Sequence, residues 1–361
     1  MVIEQYTIAT TAKYNFPQPT IDTVFPQRFL EQSIKTLTHV QDQSLQLNQQ
    51  VIQQAATTET HLSTFQLRLS PVLLKPLHEE TPVAACDTST IKIGDTRTGI
   101  LVAVRGANVL RQHRNYKYTR FGPFIFHVTE DNKDEVNSTL HRESSATWLS
   151  RNQSSLTSLL QNPTRISSIL ERWLQATLSR TISNGIILFD GSLTAGTAET
   201  STEQLKMILS SAREHGDAVL AFSKMTNLRI NGHLITDVSL QLRDPYLLET
   251  TGLRPKPPIV LLGEVYVARL SRENYSFRLD IDRERPCEQR IETVEKLLGN
   301  DLLSQGYPET LRLAHILCTF TATEVLAMQH FVARKYGFKI IERPDMHRLL
   351  FGPFGRGEPY S

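Results

Sequence analysis

Cysteine is scarce in this sequence. Three are present in 361 residues, Cys86, Cys287 and Cys318, far apart and without a Cys-x-x-Cys pair. That argues against a disulfide framework or a zinc ribbon and fits a reducing cytoplasm. Net charge is also scarce: 39 Lys and Arg against 37 Asp and Glu leave a formal +2. The whole chain is not a polycation, so any nucleic-acid binding must come from a local basic surface. No basic stretch followed by an apolar core opens the sequence, and no apolar run reaches bilayer-spanning length. The expectation is a cytoplasmic protein without a membrane. Hydrophobic residues make up 40%, enough for a sizeable core.

Taken along the chain, residues 1–25 hold scattered Thr, Pro and Gln without a pattern. Pro26–Ala56 is Gln-rich and helix-compatible, with Leu30, Ile34, Leu37, Leu45 and Ile52 as a thin apolar stripe. Such a helix either docks a partner or lies across its own domain. Residues 1–75 are therefore read as an N-terminal arm with an amphipathic helix, and 76–361 as the main domain. Pro82–Ile93, Gly99–Val104 and Phe124–Val128 read as strands. Between the last two lies Arg105–Phe121, with five cations (Arg105, Arg111, Arg114, Lys117 and Arg120), no acidic residue, and Tyr116, Tyr118 and Phe121 interleaved. As a hairpin tip this mixture suits single-stranded nucleic acid, where cations meet phosphates and rings stack on bases.

Helical sequence follows over Lys133–Leu160 and Arg165–Ser183. Ile186–Asp190 is an apolar run ending in a carboxylate, so it reads as a strand buried on both faces. A helix over Glu203–His215 and a strand over Ala218–Phe222 come next, the latter ending at Ser223-Lys224. Residues 225–257 are proline-punctuated loop. Ile259–Leu270 and Tyr275–Ile281 read as strands, and Glu288–Leu303 and Glu309–Tyr336 as helices. Thr321-Ala322-Thr323-Glu324 matches a capping box that restarts the last of these. Phe338–Ile341 closes the chain as a strand. Several early strands come without helices between them, which predicts a mixed α/β sheet flanked by helices.

An aspartate at a strand end often only caps a turn. Here the arrangement occurs twice: Val83–Cys86 leads into Asp87, and Ile186–Phe189 leads into Asp190. A third carboxylate can come from the helix before the second strand, where Glu171 stands nineteen residues ahead of Asp190; Glu143 is the competing choice. Aspartate on a first strand, glutamate on a helix and aspartate on a fourth strand is the arrangement of a ribonuclease H-like fold. Clustered carboxylates repel unless cations sit between them, and Mg²⁺ or Mn²⁺ is a hard ion that takes oxygen ligands. Two such ions suit phosphodiester hydrolysis.

Val83–Asp87 with Thr-Ser-Thr after it, Phe189-Asp190-Gly191-Ser192-Leu193, and Gly306-Tyr307-Pro308 followed by Ala314-His315 occur in one order. In these blocks, over about residues 80–350, the chain resembles the NurA-type nuclease family, although many relatives have glycine after the first aspartate. The resemblance implies a Mn²⁺- (or Mg²⁺-) dependent DNA nuclease of 5′-end resection in double-strand break repair. It also implies a homodimer that partners a HerA-type hexameric translocase. It makes Asp87, Asp190 and Glu171 metal ligands. His315 becomes a late active-site histidine that binds metal or moves a proton, and Lys224 a cation facing the scissile phosphate.

Two other readings compete. Asp87-Thr88-Ser89-Thr90-Ile91-Lys92 also resembles the first phosphate loop of actin-like ATPases and sugar kinases, with Thr88 where those loops usually place glycine. A scaffold that binds DNA or a translocase without cutting is the non-enzymatic alternative, although it need not have kept Asp87, Asp190 and His315 together. Cys86 and Cys318 read as buried small hydrophobes, and His233 and His347 as structural.

Overall fold

The computed structural model describes residues 24–38, 44–47, 66–143 and 162–342, except positions 69, 198–199, 231–232, 239, 241, 243 and 274. Helix α1 (Val24–Thr38) and strand β1 (Ser44–Leu47) precede three long strands, β2 (Val83–Asp95), β3 (Gly99–Gln112) and β4 (Asn115–Thr129). Helices α2 (Lys133–Glu143) and α3 (Asn162–Thr181) lead to β5 (Ile186–Asp190), α4 (Thr202–Glu214) and β6 (Ala218–Ser223). Strands β7 (Tyr246–Thr251), β8 (Gly263–Arg269) and β9 (Phe277–Asp282) form a meander. Helices α5 (Cys287–Asn300), α6 (Glu309–Cys318) and α7 (Ala322–Tyr336), then β10 (Lys339–Glu342), complete the described chain.

These strands make one mixed sheet in the order β4-β3-β2-β5-β6-β9-β8-β7. β2, β5 and β6 are mutually parallel and their other neighbours in this order antiparallel. β1 touches the far end of β2, with Gln46 opposite Asp95, and runs parallel to β10.

β2 is built from small residues at its start, Val83-Ala84-Ala85-Cys86, all buried. Successive side chains point to opposite faces. Ala84 and Cys86 join the core with α1, α2, α3 and α4; Val83 and Ala85 join the core with α5 and α6. Short side chains let helices approach from both sides, which bulky β-branched residues would prevent. Gly106 on β3 serves the same end: a Cβ there would lie 2.7 Å from the Leu174 Cδ1 and 3.2 Å from the Leu170 Cδ2 of α3.

The helix expected over Pro26–Ala56 is shorter: α1 stops at Thr38, and Ser44–Leu47 is a strand. Ser-Leu-Gln-Leu alternates with period two, and its ladder partner, Lys339–Glu342, is distant in sequence. Residues 48–56 lie outside the described chain. α1 lies on its own sheet. Phe25 and Phe29 are buried against Trp173, Phe124 and Phe126, each burial stabilising by about 2 kcal/mol. Its buried stripe is partly polar for a reason. Ser33 donates to the Ile125 carbonyl at 2.6 Å and accepts from the Ile125 N–H at 3.0 Å. Thr36 accepts from the His127 N–H at 3.1 Å. α1 thereby occupies backbone groups that edge strand β4 would otherwise expose.

Two further expectations are corrected. The basic stretch expected as a hairpin tip is itself paired strand: β3 and β4 pair out to Gln112–Asn115, so the tip is confined to His113 and Arg114, both with positive φ. Within residues 225–257, Tyr246–Thr251 is a strand with Tyr246, Leu247 and Leu248 fully buried; six residues among prolines showed too little pattern to be read. The capping box is present, with Thr321 and Glu324 bonding reciprocally at the start of α7. A window within Glu309–Tyr336 reaches a mean hydropathy of 1.3, enough by composition for a membrane span. The stretch is nevertheless two helices, α6 and α7, and α6 packs on the sheet through Leu311 and Ala314.

Candidate functional site

The β2–β5 ladder pairs Val83 with Ile186 through Cys86 with Phe189. Asp87 and Asp190 stand on the next rung, side by side. There β5 leaves the sheet: Gly191 takes φ +101°, which favours glycine, while its N–H donates to the Phe222 carbonyl at 2.8 Å. Ser223 holds the same turn, donating to the Gly191 carbonyl at 2.7 Å. β2 runs on to Asp95, so Asp87 is inside a strand rather than at its end.

Each aspartate has a cation or potential cation. Asp87 Oδ1 accepts from the Thr88 N–H at 2.7 Å, and Asp87 Oδ2 lies 2.7 Å from His315 Nδ1 on α6. Lys224, just past β6, donates from Nζ to Asp190 Oδ2 at 2.8 Å. The same ammonium lies 5.6 Å from the centroid of the Tyr307 ring.

Glu171 arrives from α3. Its neighbours Leu170 and Leu174 rest over Gly106, and that close approach sets the helix's distance from the sheet. Gln175, one turn on and 1% exposed, donates to Glu171 Oε1 at 3.0 Å. Arg172 holds Gln175 at 2.5 Å and Thr200 at 2.8 Å. Ser167 on the same helix donates to Thr88 Oγ1 at 3.0 Å, tying α3 to β2 beside Asp87. Burial, with the charges of Asp87 and Asp190 adding to it against Arg172, pushes the Glu171 carboxyl up to about 7. Burial, then Asp87, also raises the Asp190 carboxyl, against the pull of Lys224 and His315. Tyr307 is raised strongly by burial and by both aspartates, and its buried hydroxyl has no hydrogen-bond partner among the described residues.

Of the five residues singled out from sequence, Asp87, in contact with His315, and Asp190, in contact with Lys224, stand on adjacent strands, and Glu171 stands near enough for the charges of both aspartates to raise its carboxyl. Glu143 ends α2, and its side chain lies outside the described residues, as does His347. His233 is exposed on a two-residue strand that pairs with Arg229–Ile230. The basic stretch dissolves as a patch. Arg105 is buried and bonds Glu324 at 2.7 Å, Arg120 reaches the same carboxylate at 3.3 Å, and Arg111 is 3.9 Å from Asp301. The exposed tip at Arg114 lies at the end of the sheet opposite Gly191, because Arg111 pairs with Val83 and the ribbon continues beyond it.

Sequence reasoning missed Gln175 as the partner of Glu171, and read Cys318 as a plain hydrophobe. Cys318 follows His315 by three residues on one helix, a spacing that puts both on one face. The ATPase reading loses its main support: residues 88–95 continue as a strand whose backbone pairs with β3, so those amides are not gathered in a phosphate loop.

The donor set suits a hard divalent cation. Two paired aspartates, one of them bonded to an imidazole, stand near a glutamate, and burial with mutual repulsion raises the proton affinity of Glu171 and Asp190. The orphaned Tyr307 hydroxyl beside them is the kind of buried group that a hydrated ion or phosphate satisfies.

No protein-family model matches the sequence, and no curated protein matches it. Among solved structures, the chain is similar to the crystal structure of the NurA nuclease from Sulfolobus solfataricus. The match has a TM-score of 0.47 and 17% identity, over 73% of this chain and 88% of that one.

Proposed function

We propose that this chain is a metal-dependent DNA nuclease that hydrolyses phosphodiester bonds. The observation that carries this reading is the pairing of Asp87 and Asp190 side by side on neighbouring parallel strands, with Glu171 of α3 near enough to feel both charges. The order β4-β3-β2-β5-β6, with three antiparallel strands followed by two parallel ones, is that expected of a ribonuclease H-like sheet, which supports it.

Asp87, Glu171 and Asp190 would hold Mn²⁺ or Mg²⁺, with His315 beside them. The bound ion would supply a Lewis acid and lower the pKa of its water. The chain's own groups divide the remaining work. His315, oriented through Nδ1 by Asp87, keeps Nε2 to give or take a proton. Lys224 balances the charge on Asp190 and offers a cation to a phosphate oxygen. Gln175 and Arg172 orient Glu171, and Ser223 and Gly191 set the angle at which Asp190 leaves the sheet.

The finer reading rests on the sequence resemblance: 5′-end resection at double-strand breaks in the cytoplasm, as a homodimer working with a HerA-type translocase. The N-terminal segment, residues 1–75, is then the surface for the partner or the second copy, through the parts of α1 turned away from the sheet. Size-exclusion with light scattering and co-purification with such a translocase test these assignments separately.

The central test incubates labelled single- and double-stranded DNA with the protein and Mn²⁺ or Mg²⁺, beside Asp87→Asn and Asp190→Asn. The expected result is cutting by wild type, its loss in chelator, and its loss in both variants. Cutting that persists in both variants refutes the site. Binding of DNA or translocase with no cutting under any metal favours the scaffold.

A further inference from the structure

Among the described residues, Asp87, His315 and Cys318 form a group whose potential ligand atoms all lie within 4.8 Å of one another. Three features make this more than a buried thiol near a carboxylate. His315 and Cys318 are one turn apart on the last turns of α6, so both face β2 from a rigid element. Cys318 donates through Sγ to the His315 carbonyl at 3.2 Å, which directs the sulfur to the same side as the ring. Access comes along the His315 side chain, which is 50% exposed, while Asp87 and Cys318 are buried.

Carboxylate, imidazole and thiolate are three ligand types that Zn²⁺ accepts. Three protein ligands with an open fourth position is a common zinc arrangement. Hard Mg²⁺ gains nothing from sulfur. Tetrahedral ligation at about 2.0 Å to N and O and about 2.3 Å to S puts the ligand atoms roughly 3.3–3.6 Å apart. The 2.7 Å contact between His315 Nδ1 and Asp87 Oδ2 would open by about 0.6 Å to admit the ion, while the other separations contract from at most 4.8 Å. Both changes are within side-chain motion.

We propose that Asp87, His315 and Cys318 form a site for a thiophilic divalent cation of the Zn²⁺ class, distinguished by its sulfur ligand from the hard-ion site and overlapping it at Asp87 and His315. On binding, the ion takes the Cys318 sulfur as thiolate and one proton leaves to solvent. The ring proton moves from Nδ1 to Nε2, so that Nδ1 is the ligand. Because Asp87 serves both sites, Zn²⁺ excludes the hard ion and would stop Mn²⁺-supported cutting. That last consequence, unlike the site itself, rests on the nuclease reading.

The test uses the full chain, stripped with chelator and dialysed, with Co²⁺ as a spectroscopic stand-in for Zn²⁺. Wild type is expected to show a near-ultraviolet thiolate-to-cobalt charge-transfer band that Zn²⁺ abolishes. Cys86→Ser should keep the band. Cys318→Ser should lose it, and should bind Zn²⁺ at least tenfold more weakly in calorimetry. Co²⁺ binding to wild type without a thiolate band overturns the proposal and needs no variant to fold. A band that survives in Cys318→Ser overturns it as well. If the band appears and no metal supports cutting, the cation site stands and the nuclease reading falls. If Mn²⁺ supports cutting and Co²⁺ binds without a thiolate band, the reverse holds.

Discussion

His315 and Asp87 meet across α6 and β2, with Nδ1 2.7 Å from Oδ2. The histidine is half-exposed and the carboxylate is buried, so the pair joins solvent to the centre of the sheet. His315→Ala is expected to lower kcat for DNA cutting by about 100-fold or more, the ordinary size of a lost acid–base group. The substitution is near a surface, so melting temperature should change little. An unchanged kcat would show that the imidazole only fills space.

Asp190→Asn should change stability and activity in opposite directions. Without metal, Asp190 is a partly buried carboxylate beside Asp87, and desolvation with that neighbouring charge raises its proton affinity. Neutralising it relieves repulsion, at the loss of a partly exposed pair with Lys224 that is worth little. In chelator the variant should melt higher, by roughly 1–2 °C for each kcal/mol relieved. With Mn²⁺ present it should lose both cutting and the metal-induced rise in melting temperature. A variant that is destabilised in chelator would mean the carboxylate's role is structural.

Glu171 supplies the pH dependence. Its carboxyl is raised from 4.5 to about 7 in the folded protein. The folded state therefore binds a proton that the unfolded chain has already lost. The stabilisation is complete below about 4.5 and disappears as pH rises through about 7. Melting curves in chelator should show wild type losing stability across that window relative to Glu171→Gln. Metal binding needs the ionised form, so Mn²⁺ affinity should rise with pH over the same range in wild type and rise less steeply in Glu171→Gln, where Asp190 still competes for protons.

Gln175 is tested through the ion it never touches. It donates to Glu171 Oε1 and is itself held by Arg172. Gln175→Met keeps volume and removes the hydrogen bonds. Metal affinity measured by calorimetry should fall by about 10–100-fold, the range for groups that orient a ligand. Gln175→Glu should not rescue it, because a further carboxylate repels Glu171.

Glu324 tests how the basic stretch is used. It pairs with buried Arg105 and with Arg120, and these contacts with the Thr321 cap hold its carboxyl down to about 2 despite its partial burial. Glu324→Gln should destabilise by about 2 kcal/mol, as expected for a charge-assisted bond at a buried guanidinium. DNA affinity should keep its salt dependence. A reduced salt slope in Arg105→Ala would instead restore this stretch as a phosphate contact.

Much of the architecture was legible locally. Ile186–Asp190 reads as a buried strand because four apolar residues stand between turn residues, and it is one. The capping box at Thr321 and Glu324 marks a helix start through bonds between residues three apart, so no distant partner is needed. The same locality explains the errors. Ser44–Leu47 is too short to declare itself and becomes a strand because Lys339–Glu342 lies alongside. The cations of 105–121 look free in a linear reading, and Glu324 and Asp301, which neutralise three of them, come from the far end of the chain.

The site divides in the same way. The sequence by itself determined which residue types were available: two aspartates after apolar runs, a glutamate on the intervening helix, and a histidine late in the chain. Only the tertiary structure decided their company. A parallel ladder sets Asp87 beside Asp190, a glycine on β3 lets α3 bring Glu171 close, and α6 carries His315 to Asp87 together with Cys318. Side-chain type is a local property; the shared field that raises Glu171 to about 7 exists only once burial and neighbouring charge are assembled in space.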